Sequence, residues 1–304
     1  MMKQNPIVVL AMPGNESLAQ TLASELGASQ GTLVVHRFPD GETRVQVTDA
    51  VSGSDVVLAE TLDHPNDKLV TLYLASRTLR SLHARRVLLV APYLPYMRQD
   101  RSFHPGEGVS AMHIGDRLSG FLDGLVTIDP HLHRIRRLDE VYHIPTRTVH
   151  SAASIARWVR ECVARPLIIG PDNESRQWVS EVALEVSCPY FVLQKARHGD
   201  RDVEVRLPDH EALLDHTPVL LDDIVSSGAT MMAAVRSLRA AGFCAPYCVG
   251  VHALFADHAY EQLQQAGVQS VVTCNSITHA SNRIDLHHPL AVATLDLLRQ
   301  RVRP

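Results

Sequence analysis

Short apolar runs without alternation recur along the chain, each followed by a longer stretch whose apolar positions return every three or four residues. Ile7–Ala11, Asp55–Ala59, Val87–Ala91 and Leu125–Ile128 are of the first kind and predict strands, whereas Ser17–Leu26, Asn66–His83 and Ser110–Ser119 predict helices. Gly27 suits the left-handed position that ends the first helix. Leu33–Phe38 and Thr43–Val47 flank Pro39-Asp40-Gly41 and predict two strands around a turn. The rhythm begins again near Val149, with helices over Ser151–Cys162, Ser175–Leu184, Thr230–Ala241, near His258–Ala266 and over Pro289–Arg301. Between them Leu167–Ile169, Tyr190–Leu193, Val203–Leu207, Val219–Leu221, Tyr247–Val251 and Ser270–Thr273 read as strands. Runs such as Val87-Leu88-Leu89-Val90 are apolar at every position, as parallel strands covered on both faces must be. The expectation is an α/β chain in two halves, 1–148 and 149–304, each a mostly parallel sheet covered by helices. The length of 304 residues agrees, at about 150 residues per domain.

Composition narrows the partners. Apolar residues make up 45% and charged residues 20%, the balance of a soluble globular chain. Lys plus Arg number 29 against 33 for Asp plus Glu, a net charge of −4, so no basic surface is expected for nucleic acid and any anion must be held locally. No apolar run approaches the roughly 20 residues of a membrane span. Ile7–Met12 is too short for a signal-peptide core and runs into Pro13-Gly14, so a cytoplasmic location is expected. The five cysteines are scattered without a CxxC pair, which argues against a disulfide framework or zinc ribbon; Cys244 and Cys248 read as small buried thiols. Of the seventeen histidines, His131 and His133 share one short segment.

The most informative stretch is Val219-Leu220-Leu221-Asp222-Asp223-Ile224-Val225-Ser226-Ser227-Gly228-Ala229-Thr230. A buried strand runs into two acidic residues, then a loop of small residues, then a helix. Small residues let backbone N–H groups converge, and the helix start adds positive partial charge, a geometry suited to phosphate. The adjacent carboxylates can accept from vicinal sugar hydroxyls or hold Mg²⁺. Two neighbouring carboxylates repel unless a cation or hydroxyl donors lie between them, so a plain acidic turn before a helix cap explains the stretch less well than a sugar-phosphate cradle.

These residues resemble the phosphoribosyl-pyrophosphate motif of type I phosphoribosyltransferases and ribose-phosphate pyrophosphokinases. Arg37-Phe38-Pro39-Asp40-Gly41-Glu42-Thr43 resembles the pyrophosphokinase loop that reaches a neighbouring subunit's ATP site. Pro92 to Arg101 is similar to the family's ATP-binding strand end, and Asp129-Pro130-His131 and Lys195-Ala196-Arg197 to its metal histidine and catalytic loop. The resemblance runs from about residue 6 to residue 290 and implies two tandem phosphoribosyltransferase-like domains, an ATP side first and a ribose 5-phosphate side second. It implies a ribose-phosphate diphosphokinase for nucleotide biosynthesis that moves the pyrophosphoryl group of Mg·ATP to ribose 5-phosphate. Phe38, Asp40, Glu42, Arg98 and Gln99 would bind ATP. Asp222, Asp223, Ser226, Ser227, Gly228, Ala229 and Thr230 would bind ribose 5-phosphate. His131 and Asp172 would serve Mg²⁺, and Lys195 and Arg197 would be catalytic. A homo-oligomer, dimer or hexamer, is implied as well. A phosphoribosyltransferase, usually of one such domain, and a silent synthetase-associated subunit are the alternatives.

The side chains suit these roles: Arg98 offers a planar fork for polyphosphate oxygens and Phe38 a face for adenine. Lys195 and Arg197, in a polar segment between strand-like runs, read as a lid bringing cations to developing charge, against the plainer reading of a solvated hairpin. Two departures stand out. Glu174-Ser175 occupies the place of a glycine pair, and Ser102 to Gly108 differs from the basic segment of the commonest bacterial and animal enzymes, which puts control by phosphate and ADP in doubt.

Overall fold

The computed structural model describes residues 5–198, 202–207 and 210–300. In the first part of the chain the elements are β1 (Ile7–Ala11), α1 (Glu16–Leu26), β2 (Ser29–Gly31), β3 (Leu33–Arg37), β4 (Thr43–Val47), β5 (Asp55–Ala59), α2 (Pro65–Ser81), β6 (Arg86–Ala91), α3 (Ser110–Ser119), β7 (Gly124–Ile128) and β8 (Thr146–Val149). Six strands form one sheet in the order β2-β1-β5-β6-β7-β8, with every neighbouring pair parallel. The uniform apolar runs predicted this: β5, β6 and β7 are buried at every position. In α1 the stripe Leu18, Ala19, Leu22, Ala23 faces inward, and Gly27 takes the left-handed cap at φ 59°. β3 and β4 form a separate antiparallel hairpin.

The second part contains α4 (Ala152–Cys162), β9 (Pro166–Gly170), α5 (Arg176–Val186), β10 (Tyr190–Val192), β11 (Gln194–His198), β12 (Asp202–Arg206), β13 (Thr217–Val225), α6 (Ala229–Ala240), β14 (Tyr247–Ala253), α7 (Ala259–Gln265), β15 (Ser270–Cys274) and β16 (Asn282–Ile284). Its sheet runs β10-β9-β13-β14-β15-β16, again wholly parallel, and β11 with β12 forms an antiparallel hairpin. The architecture is α/β, and the two sheets repeat one topology. Each has its hairpin after the outermost strand on one side. In each, one strand leads outward one way (β1 to β2, β9 to β10) while its neighbour leads the other way (β5 to β6, β13 to β14). The crevice at the carboxyl ends of such a diverging pair is where open α/β sheets bind ligands.

The final helix, α8 (His287–Arg299), belongs to the first unit, which comprises the chain up to Val149 and from His287 onward; the second unit is His150–Leu286. The boundary expected at 148/149 follows sequence order and so leaves this helix with the second half. Arg86 holds it where it is: the buried guanidinium pairs with Asp55 and donates to the carbonyls of Leu298 and Gln300 at 2.6 and 3.2 Å. Cys248 is buried, with its thiol pushed up to about 12 by desolvation, whereas Cys244 is exposed, contrary to its expected burial. No helix among the described residues is long and apolar enough to cross a membrane.

Candidate active site

The acidic pair lies within β13, which the sequence reading ended at Leu221. Val219, Leu220 and Leu221 are fully buried, and the strand continues through Asp222 and Asp223 to Val225, with Asp222 paired to Gly250 on β14. Asp222 is half-buried, Asp223 is buried, and the N–H of Asp223 donates to Asp222 Oδ1 at 3.1 Å. Ser226 and Ser227 follow, and Gly228 turns the chain into α6 at φ +67°. A side chain at 228 would be strained there and would press on Leu263, 3.3 Å from the position of its Cβ. The carbonyl of Ser226 accepts from the N–H of Ala256 at 3.1 Å, tying the loop to the segment that follows β14. The loop residues Ser226 to Thr230 thus lead into the first turn of α6, where helix N–H groups lack acceptors within the helix.

Asp172 follows β9, the neighbour of β13, on the facing side of the crevice. Its Oδ1 accepts from the N–H of Glu174 at 3.1 Å, and its carbonyl accepts from Ser175 Oγ at 2.6 Å. Burial pushes the Asp222 carboxyl well above the usual carboxylate range, and the charges of Asp223 and Asp172 push it further. Three carboxylates thus gather at the carboxyl ends of two diverging strands, beside a small-residue loop and a helix start.

The remaining sequence-predicted residues lie on other loops. Phe38, Asp40 and Glu42 form the turn of the β3–β4 hairpin. The N–H of Phe38 donates to the carbonyl of Glu42 at 2.8 Å, Asp40 Oδ1 accepts from the N–H of Glu42 at 3.1 Å, and the Phe38 ring meets His36 edge-on at 4.7 Å while staying 39% exposed. Arg98 and Gln99 are exposed after β6, with Gln99 Oε1 accepting from Ser110 Oγ at 2.6 Å. His131 follows β7 and is half-buried, its ring 4.7 Å from that of His133. Just before it, buried Asp129 has φ +28°, the sort of backbone strain that clusters at functional loops. His131 belongs to the first unit and Asp172 to the second. Lys195 and Arg197 lie on β11, paired in register with Val205 and Val203 of β12; their side chains, and Gly199-Asp200, lie outside the described residues. The backbone there is a hairpin strand, the backbone form of the plainer of the two sequence readings.

Sequence reasoning missed several supporting residues. The Asp100 side chain, only 2% exposed, accepts from Arg134 Nη1 at 3.1 Å and so joins the Arg98-Gln99 loop to the His131 loop. The departing segment 102–108 is organised around Glu107, which accepts from the N–H groups of Phe103 and His104 at 2.8 and 3.0 Å. Its carboxyl is held below the usual range first by the His104 side chain and then by those two bonds. In the first unit's crevice, buried Glu60 follows β5. Its carboxylate accepts from Asn15 Nδ2 at 3.1 Å, and Lys68 Nζ stands 3.5 Å away while donating to Asp63 Oδ1 at 2.5 Å and the carbonyl of Thr61 at 2.6 Å. Desolvation raises Glu60 to about 7, against the opposing pull of Lys68.

Two family models match the chain: the N-terminal domain of ribose phosphate pyrophosphokinase over residues 7–120 and the phosphoribosyl transferase domain over residues 138–289. A ribose-phosphate pyrophosphokinase of Methanopyrus kandleri is 31% identical across 96% of this chain and 99% of its own length. One from Saccharolobus solfataricus is 31% identical across 86% of this chain and 89% of its own. The crystal structure of phosphoribosylpyrophosphate synthetase from Mycobacterium smegmatis superposes with a TM-score of 0.84, covering 96% of this chain and 98% of that one; at 21% identity this speaks for the fold. With the diverging-strand crevice and its three carboxylates, these matches show that the chain belongs to the ribose-phosphate pyrophosphokinase family.

Proposed function

We propose that the chain is a ribose-phosphate diphosphokinase. The C1 hydroxyl oxygen of ribose 5-phosphate attacks the β-phosphorus of ATP, a new C1–O–P bond forms, the α,β-bridging P–O bond breaks, and AMP leaves with the bridging oxygen while the hydroxyl proton is released. The observation that carries the reading is the gathering of Asp172, Asp222 and Asp223 beside the Ser226–Thr230 loop. Asp222 and Asp223 accept from the ribose hydroxyls, and the N–H groups of the loop and the α6 start take the 5-phosphate.

The donor set fits a hard divalent cation, because all three carboxylates offer oxygen and the Asp222 carboxyl, raised first by burial, is raised further by the like charge of Asp223 and Asp172, which a cation relieves. Mg²⁺, once bound, neutralises charge developing on the transferred phosphates. Asp172 and His131 are the residues assigned to hold it. Arg98 and Gln99 orient the triphosphate, and Phe38, Asp40 and Glu42 serve the adenine of a neighbouring subunit, which makes the working protein at least a dimer. Lys195 and Arg197 supply positive charge to the transferring group. A cytoplasmic location follows from this chemistry.

Incubating purified protein with Mg·ATP and ribose 5-phosphate tests the reading. Equal amounts of AMP and phosphoribosyl pyrophosphate are expected. Absence of both products with Mg²⁺ and with Mn²⁺ would refute it.

A further inference from the structure

Glu174-Ser175, which replaces an expected glycine pair, has no role in the scheme above. Its two residues part company: Glu174 is exposed, whereas Ser175 is fully buried. The Ser175 hydroxyl donates to the Asp172 carbonyl at 2.6 Å, and the Ser175 N–H donates to the same oxygen at 3.2 Å. The Glu174 N–H holds the Asp172 carboxylate. Asp172 is therefore fixed at its carbonyl by Ser175 and at its carboxylate by the short helical turn that Ser175 closes.

A second observation comes from the neighbouring strand. Gly170 ends β9, where Leu167, Ile168 and Ile169 precede it, and its φ is not of the left-handed kind, so backbone freedom is not what glycine supplies here. It supplies space. A Cβ at 170 would lie 2.3 Å from Ser175 Oγ, against 3.1 Å from Val192 and 3.2 Å from Val179. The Ser175 hydroxyl occupies the notch left by Gly170, and from that notch it reaches Asp172.

We infer that Ser175 is a positioning residue, seated on Gly170, that aims the Asp172 carboxylate at the ribose and its cation. It touches neither substrate. With glycine at 175 the Asp172 carbonyl would lose the hydroxyl bond, and the turn that presents the carboxylate would gain freedom. The consequence falls chiefly on ribose 5-phosphate and its metal, and less on ATP binding, which draws on Arg98, Gln99 and the β3–β4 hairpin.

The inference rests on the proposed role of Asp172, and the test separates the two. Ribose 5-phosphate binding in Mg²⁺ is measured calorimetrically at 25 °C for the full chain, with near-ultraviolet circular dichroism confirming the fold. Failure of the wild-type protein to bind ribose 5-phosphate or form product would overturn the functional reading and the inference together. With the wild type active, Ser175→Ala is expected to weaken ribose 5-phosphate binding by about threefold to tenfold, the scale of one hydrogen bond, while KM for ATP stays within about twofold. Gly170→Ala is expected to cost at least about tenfold in the wild-type background and less than about threefold in the Ser175→Gly background, since the clash is with the hydroxyl. A loss under about threefold in Ser175→Ala, or an equal penalty for Gly170→Ala in both backgrounds, would reduce Ser175 to a packing residue. If Gly170→Ala does not fold, Ser175→Ala alone decides by the same threshold.

Discussion

The two units place different chemistry at the same point of one topology. In the first, the crevice between β1 and β5 holds Glu60 with Lys68 and Asn15, a carboxylate whose counter-charge and amide donor come from the chain itself. In the second, the crevice between β9 and β13 holds Asp222 with Asp223 and Asp172, and burial first, then the charges of those two neighbours, raise the proton affinity of Asp222. One crevice is settled by its own side chains; the other gathers like charge, which a cation or hydroxyl donors would relieve. The repeat of fold therefore carries no repeat of function, and the site follows the residues at the strand ends.

The largest break in this contrast comes from Asp222→Asn. Ribose 5-phosphate-dependent formation of phosphoribosyl pyrophosphate is expected to fall about a thousandfold in kcat/KM, or about 4 kcal/mol. The same change should stabilise the folded protein by about 1 kcal/mol in urea unfolding, because it removes a carboxyl whose ionisation is opposed by burial first and then by neighbouring like charge. Unchanged turnover would show that the acidic crevice is not the ribose site.

Next in size is the pH dependence of Glu60. Its carboxyl sits at about 7 when folded against an ordinary value of 4.5, so the folded chain binds the proton more tightly than the unfolded chain. The stability this lends is complete below the ordinary value and is lost as pH rises through about 7. Glu60→Gln should erase that decline, so the variant gains on the wild type by up to roughly 3 kcal/mol between pH 4 and pH 8. Parallel stability curves would argue against the buried ionisation.

Lys68→Met should cost about 1–2 kcal/mol at pH 8, since Glu60 answers the loss of its counter-charge by taking up a proton. Its decline of stability with pH should move to higher pH, while catalysis at 25 °C is unaffected. Smallest is Phe38→Ala on the first-unit hairpin, expected to raise KM for ATP about fivefold, near 1 kcal/mol of ring stacking, with ribose 5-phosphate binding unchanged.

The sequence made the central strands legible because burial on both faces leaves them apolar at every position, as in Val87-Leu88-Leu89-Val90. It hid β2, β8 and β16, short strands at the sheet edges, because Ser29-Gln30-Gly31 and Thr146-Arg147-Thr148-Val149 carry little apolar signal. It shortened β13 because the apolar run ends at Asp222 and Asp223, although Asp223 is buried in the strand. The ribose-phosphate loop was readable because its residues are contiguous. Glu60 with Lys68, and Asp100 with Arg134, were not, since each pair meets only once the chain has folded; a lone Glu closing an apolar strand was the one signal available. Ser175 drew notice as a departure in sequence, but its seat on Gly170 is a fact of three-dimensional packing.

The most direct measurement compares Mg²⁺-dependent ribose 5-phosphate binding by calorimetry in the wild type, Asp222→Asn and Glu60→Gln. Binding should be present in the wild type, lost in Asp222→Asn and retained within about twofold in Glu60→Gln. Binding that survives in Asp222→Asn and disappears in Glu60→Gln would place the sugar phosphate in the other crevice and contradict the assignment.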